Sequence, residues 1–108
     1  MARIALLCPD LLFGSRVEGS LRAAGHEVFR VASPAEATEA ALLVIDLTAD
    51  AEERLAGLGG ATGPRTLAFY SHVEQDVRDR AERAGVDKVV PRSRMAREGA
   101  ALVEGMLA

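Results

Sequence analysis

Ala41-Leu42-Leu43-Val44-Ile45-Asp46 decides the fold. It is the most apolar run in the chain, and it ends abruptly on a carboxylate. A run of this kind reads as a buried strand, and its polar last residue marks where the strand leaves the interior. Asp46 then either caps the following loop or stands at the centre of a site.

Working outward, the same grammar repeats. Ile4-Ala5-Leu6-Leu7 is a second continuous apolar run, as expected for a strand covered on both faces. Val28–Val31, Thr66–Tyr70 and the short Lys88–Val90 supply three more strands. Between them lie amphipathic segments. The first predicted helix covers Leu12–Ala24, with Val17, Leu21 and Ala24 on one stripe, and Ser15-Arg16-Val17-Glu18 has capping-box form near its start. Gly25 stops it in the usual left-handed position. Ser33-Pro34-Ala35-Glu36 opens a short helix, with Ser as cap, Pro in the first turn and Glu third. Asp50-Ala51-Glu52-Glu53 opens another by the same logic, ending near Gly57. Ser71-His72-Val73-Glu74 again has capping-box form, ahead of a stripe of Val73, Val77, Ala81 and Ala84, and Gly85 ends that helix. A last helix, capped by Ser93 or a neighbour, turns Met95, Leu102 and Met106 inward.

Five strands alternating with five helices predict a single α/β domain over residues 1–108. Its doubly wound parallel sheet has the order 2-1-3-4-5, with helices on both faces, a flavodoxin-like three-layer sandwich. In such sheets ligands sit beyond the carboxyl ends of the strands. That rule gathers Cys8, Pro9 and Asp10 after strand one and Asp46 and Thr48 after strand three. It adds Ser71 and His72 after strand four and Arg92 and Arg94 after strand five. The Gly-rich segment Gly57–Pro64 precedes strand four, on the opposite edge. It opens a strand rather than a helix, so it reads as a crossover and not as a phosphate loop. His26, in the turn before strand two, is expected on that opposite edge in contact with solvent.

Bulk properties exclude several classes. The net charge of −3 and pI of about 5.4 argue against sequence-independent nucleic-acid binding. One cysteine rules out an internal disulfide and a cysteine metal cluster. Two histidines at opposite edges cannot close a zinc site. No apolar stretch reaches transmembrane length, so no membrane partner and a cytoplasmic location are expected. Cys8, Asp46 and His72 would make a nucleophile set, but strand three separates Cys8 from His72. Strand spacing puts them ~10 Å apart, where a nucleophile and its base need about 3 Å.

The chain resembles the receiver (CheY-like) domain of bacterial two-component response regulators over nearly its full length. Asp46 stands at the family's phospho-acceptor position and Ser71 at its Ser/Thr position after strand four. Gly85-Val86-Asp87-Lys88 resembles the Gly-Ala-Asp stretch before strand five. Arg92 falls where the family has lysine, with Ser93 in place of the following proline. The resemblance implies a phosphorelay role and a Mg²⁺ ion. It departs where the family carries two acidic residues to hold that ion, since Cys8 and Pro9 occupy those places. Asp10 comes one residue late, which leaves Asp10 and Asp46 as the remaining magnesium candidates. An atypical receiver follows: a non-enzymatic signalling or interaction module with no cofactor. The resemblance implies protein-partner or homodimer contacts through the face of helix four, strand five and helix five, including Val86, Lys88 and Val89. The alternatives are a phosphorylatable receiver with Asp46 as acceptor, and a small-anion or nucleotide binder at Asp46, His72, Arg92 and Arg94.

Overall fold

The computed structural model describes residues 2–58 and 63–108. Strands β1 (Arg3–Leu7), β2 (Glu27–Arg30), β3 (Leu42–Asp46), β4 (Arg65–Tyr70) and β5 (Lys88–Pro91) form one sheet in the order β2-β1-β3-β4-β5. All pairings are parallel, with Ile4 opposite Leu42 and Leu42 opposite Arg65. The predicted order is the observed one. Every residue of β3 is buried, because the strand has a neighbour on each side and helices above and below.

Side chains alternate across a strand, and this parity sorts the core. Ile4, Leu6, Leu42, Val44, Leu67 and Phe69 face α1 (Leu11–Ala23) and α4 (Arg92–Leu107). Ala5, Leu7, Leu43, Ile45, Ala68 and Tyr70 face the other layer. That layer holds a single 3₁₀ turn (Pro34–Ala37), α2 (Ala51–Ala56) and α3 (Gln75–Arg83).

The helix starts are where the sequence reading and the structure part. α1 begins at Leu11, capped by Asp10, whose carboxylate accepts the Phe13 amide at 3.0 Å. Ser15 and Glu18 therefore lie inside the helix. Glu18 is bound instead by Arg22 and Arg30, and the Arg22 hydrogen bond above all holds its carboxyl below the ordinary range. The buried stripe is Phe13, Val17 and Leu21, while Ala24 is exposed just past the last turn. α3 begins only at Gln75, because the Glu74 amide first closes a turn onto the Ser71 carbonyl. Val73 is consequently 75% exposed and Ala84 lies on the surface, so the stripe reduces to Val77 and Ala81. Asp50 takes a left-handed conformation at φ 51° and makes no cap bond, although α2 does follow it. Only the Ser33–Glu36 segment behaves as read: the Glu36 carboxylate accepts the Ser33 amide at 3.0 Å. Of the Gly-rich segment, Gly59, Gly60, Ala61 and Thr62 lie outside the described residues.

His26 is buried, not solvated. The Ala2 amide donates to its Nδ1 at 3.2 Å, so Nε2 carries the proton and donates to Glu104 of α4 at 2.6 Å. Val86, expected on a partner-facing surface, is also buried, in the core beneath α3.

Gly25 and Gly85 close α1 and α3 at φ 96° and 91°, a region costly for residues with a Cβ. Gly85→Ala should lower the unfolding free energy by about 1–2 kcal/mol. Urea denaturation measures it, and no loss would contradict the strain assigned to this stop.

Candidate functional site

Strand parity also assembles the carboxyl edge. Cys8 continues the Ile4–Leu6 side of β1, Asp46 the Leu42–Val44 side of β3, Ser71 the Leu67–Phe69 side of β4 and Arg92 the Val90 side of β5. All four point toward the α1/α4 layer. An open cleft of about 610 Å³ results, lined among others by Asp10, Arg16, Thr48, Ser71, His72 and Arg92. Five of the residues singled out from the sequence thus meet in one place. Arg94 does not join them; it turns along α4 and pairs with Glu98 at 3.6 Å.

Asp46 lies beneath this lining, behind Thr48, and is almost completely buried at 4% exposure. Its Oδ1 accepts two bonds from Thr48, from the amide at 2.8 Å and from the hydroxyl at 2.6 Å. This turn is the short side-chain-to-backbone link that Asp forms readily after a strand. Oδ2 faces the Cys8 thiol at 3.7 Å. A buried ion needs a counter-charge, and Arg54 of α2 provides it. Its guanidinium lies 4.0 Å from Oδ2 and donates to the Asp46 carbonyl at 2.7 Å. The same group reaches Asp50 at 3.8 Å. Sequence reasoning missed Arg54, and its four-residue spacing from Asp50 on a helix following the strand was the available signal.

Arg92 does not pair with Asp46. Its guanidinium lies over the Phe13 ring, 4.2 Å from the centroid, and touches the Asp10 carboxylate at 3.5 Å. A cation over an aromatic face is attracted by the ring quadrupole, and Phe13 stands in the first turn of α1, which begins at Leu11, one residue before the expected start. Asp10 is thereby committed on both oxygens, Oδ1 to the Phe13 amide and Oδ2 to Arg92.

The donors fit Mg²⁺ poorly. That ion wants near-octahedral oxygen ligands, with one or two free carboxylates among them. Here Asp10 is spent, the Cys8 carbonyl is taken by Arg30 at 2.5 Å, and Cys8 itself is a thiol. Burial, then the negative charge of Asp46, push the Cys8 pKa up from 9.0 to about 11, so the sulfur stays protonated and makes no ligand for a hard cation. Among the described residues no three His, Cys, Asp or Glu side chains converge on one point.

Solved structures of receiver domains superpose on the chain. The signal receiver domain of a response regulator from Bermanella marisrubri matches with a TM-score of 0.81 over 98% of both chains, at 17% identity. A CheY-like receiver domain from Methanospirillum hungatei JF-1 matches at 0.80, covering 99% of this chain and 94% of that one, at 16% identity. A two-component response regulator of the LuxR family from Aurantimonas sp. SI85-9A1 is 24% identical, with a TM-score of 0.73 over 99% of this chain and 85% of that one. No protein-family model matches, and no curated protein matches in sequence. At these identities the likeness shows the fold: the chain has the receiver fold.

Two outcomes follow from the residues beneath the cleft. Arg54→Met should cost about 2–4 kcal/mol in urea unfolding, by leaving the Asp46 carboxylate without its counter-charge and the carbonyl without its donor; an unchanged midpoint would remove Arg54 from this role. Cys8 stays protonated in the folded chain up to about pH 11, whereas the unfolded thiol ionises near 9.0. Its contribution is therefore complete below pH 9 and is lost as pH rises through 11. Between pH 9 and 11 the wild type should lose more stability than Cys8→Ala.

Proposed function

We propose that the chain is a receiver-like signalling module that works through protein contacts and carries out neither phosphotransfer nor metal-dependent chemistry. One observation carries this reading: the Asp46 carboxylate is buried and already engaged, by Thr48 on one oxygen and by the Cys8 thiol and Arg54 on the other. In-line transfer to a carboxylate requires an accessible oxygen and a cation that gathers the charge of the incoming phosphoryl group. The cation beside Asp46 is a guanidinium fixed to the strand's own carbonyl, and the second acid that would share a metal is tied to a helix cap and Arg92. No helix of the described residues is long and apolar enough to cross a membrane.

The contact surface we assign is the face of α3, β5 and α4. Lys88 is exposed there and Val89 half-buried. Arg78–Glu82 and Arg94–Glu98 are exposed pairs, weak on their own account and therefore free to exchange for partners across an interface.

Incubation with acetyl phosphate and Mg²⁺, followed by intact mass measurement, tests the reading. The expected mass is unchanged. Gain of one phosphate by the wild type, absent in Asp46→Asn, would establish a working receiver instead.

A further inference from the structure

The cleft above Asp46 has a chemistry of its own. We propose that it binds a small phosphate-bearing ligand non-covalently, held by Arg16 of α1 and Arg92 of α4.

Charge selects the class. Asp10 is the one carboxylate among the residues lining the cleft, against two guanidiniums. Arg16 is exposed and forms no ion pair among the described residues, whereas Arg22, two turns along the same helix, is bound to Glu18 at 2.9 Å. Arg92 lies over Phe13, and its contact with Asp10 is long at 3.5 Å. Its guanidinium is thus placed before a ligand arrives, with one terminal nitrogen given to Asp10 and the other donors of the fork left over. Such preorganisation is what makes arginine effective toward phosphate.

Hydrogen-bonding groups complete the site. The hydroxyls of Ser71 and Ser93 and the imidazole of His72 line the cleft and have no side-chain partner among the described residues. The Thr48 hydroxyl, by contrast, is already given to Asp46. Two cations with several neutral donors suit a tetrahedral dianion better than a planar carboxylate, which one fork would satisfy. At about 610 Å³ the cleft has the size of a small-molecule site and exceeds the needs of phosphate alone. Free phosphate and the phosphate of a nucleotide share this chemistry.

The site does not use Asp46, whose side chain lies beneath the lining. It goes beyond the reading of a non-phosphorylated module and survives or fails independently of it.

The test is amide NMR of the full chain, titrated with inorganic phosphate and separately with adenosine monophosphate, at ionic strength held constant with sodium chloride. Saturable shifts are expected at His72, Ser93 and Arg94. Tighter binding of the nucleotide would identify an organic ligand, and equal binding the phosphate group alone. Arg16→Gln should weaken binding at least about tenfold. Asp10→Asn removes the competing charge but keeps a good helix cap, so it should tighten binding severalfold. Shifts that do not saturate by about 50 mM with either compound, far weaker than useful binding, would overturn the proposal. Indifference to Arg16→Gln would do the same.

Discussion

Everything at the carboxyl edge follows from one constraint: an ionised carboxylate sits at the end of the central, fully enclosed strand. β3 has no solvent-facing side, and Asp46 at its end is left only 4% exposed. A buried charge of this kind persists only with hydrogen bonds and a counter-ion in place. Thr48 fills one oxygen, Cys8 faces the other, and Arg54 satisfies both the charge and the strand's last carbonyl. β1 pairs with β3 only as far as Ile45, so that carbonyl has no partner in β1. Arg54 therefore answers a backbone need and an electrostatic one together.

The layer order and the members of the cleft were legible because both derive from periodicity. Apolar runs gave five strands, alternation fixed which side chains share a face, and parallel connectivity fixed their order. What remained hidden was pairwise. The Ser-x-x-Glu pattern occurs at Ser15 and at Ser71 without starting a helix, because a cap depends on where the preceding strand releases the chain. Asp10 carried no such pattern and is the actual cap of α1. His26 looked exposed because its partner, Glu104, lies 78 residues away. Arg54 stood only a few residues beyond the strand, but its value depends on how tightly the chain turns between Asp46 and α2.

The receiver fold sharpens this contrast. Its carboxyl edge offers a place where four strand ends and two helix starts converge, and a chain with this fold can spend that place in different ways. Here one carboxylate, Asp10, follows β1, and arginines approach from α1, α2 and α4. The result is an edge divided in depth. Beneath lies a closed ionic layer of Asp46 and Arg54, and above it an open one of Arg16, Arg92 and Asp10.

The bond between His26 and Glu104 has a consequence for how the molecule can be joined to others. Ala2 donates to His26, His26 to the last helix, and Arg65 at the start of β4 to the Met106 carbonyl. Ala2 and Met106 thus lie at the amino edge of the sheet, opposite the cleft. A partner seated on that edge would leave the mouth of the cleft unobstructed. The domain is polar in the architectural sense, with the His26–Glu104 clasp at one pole and the open cleft at the other.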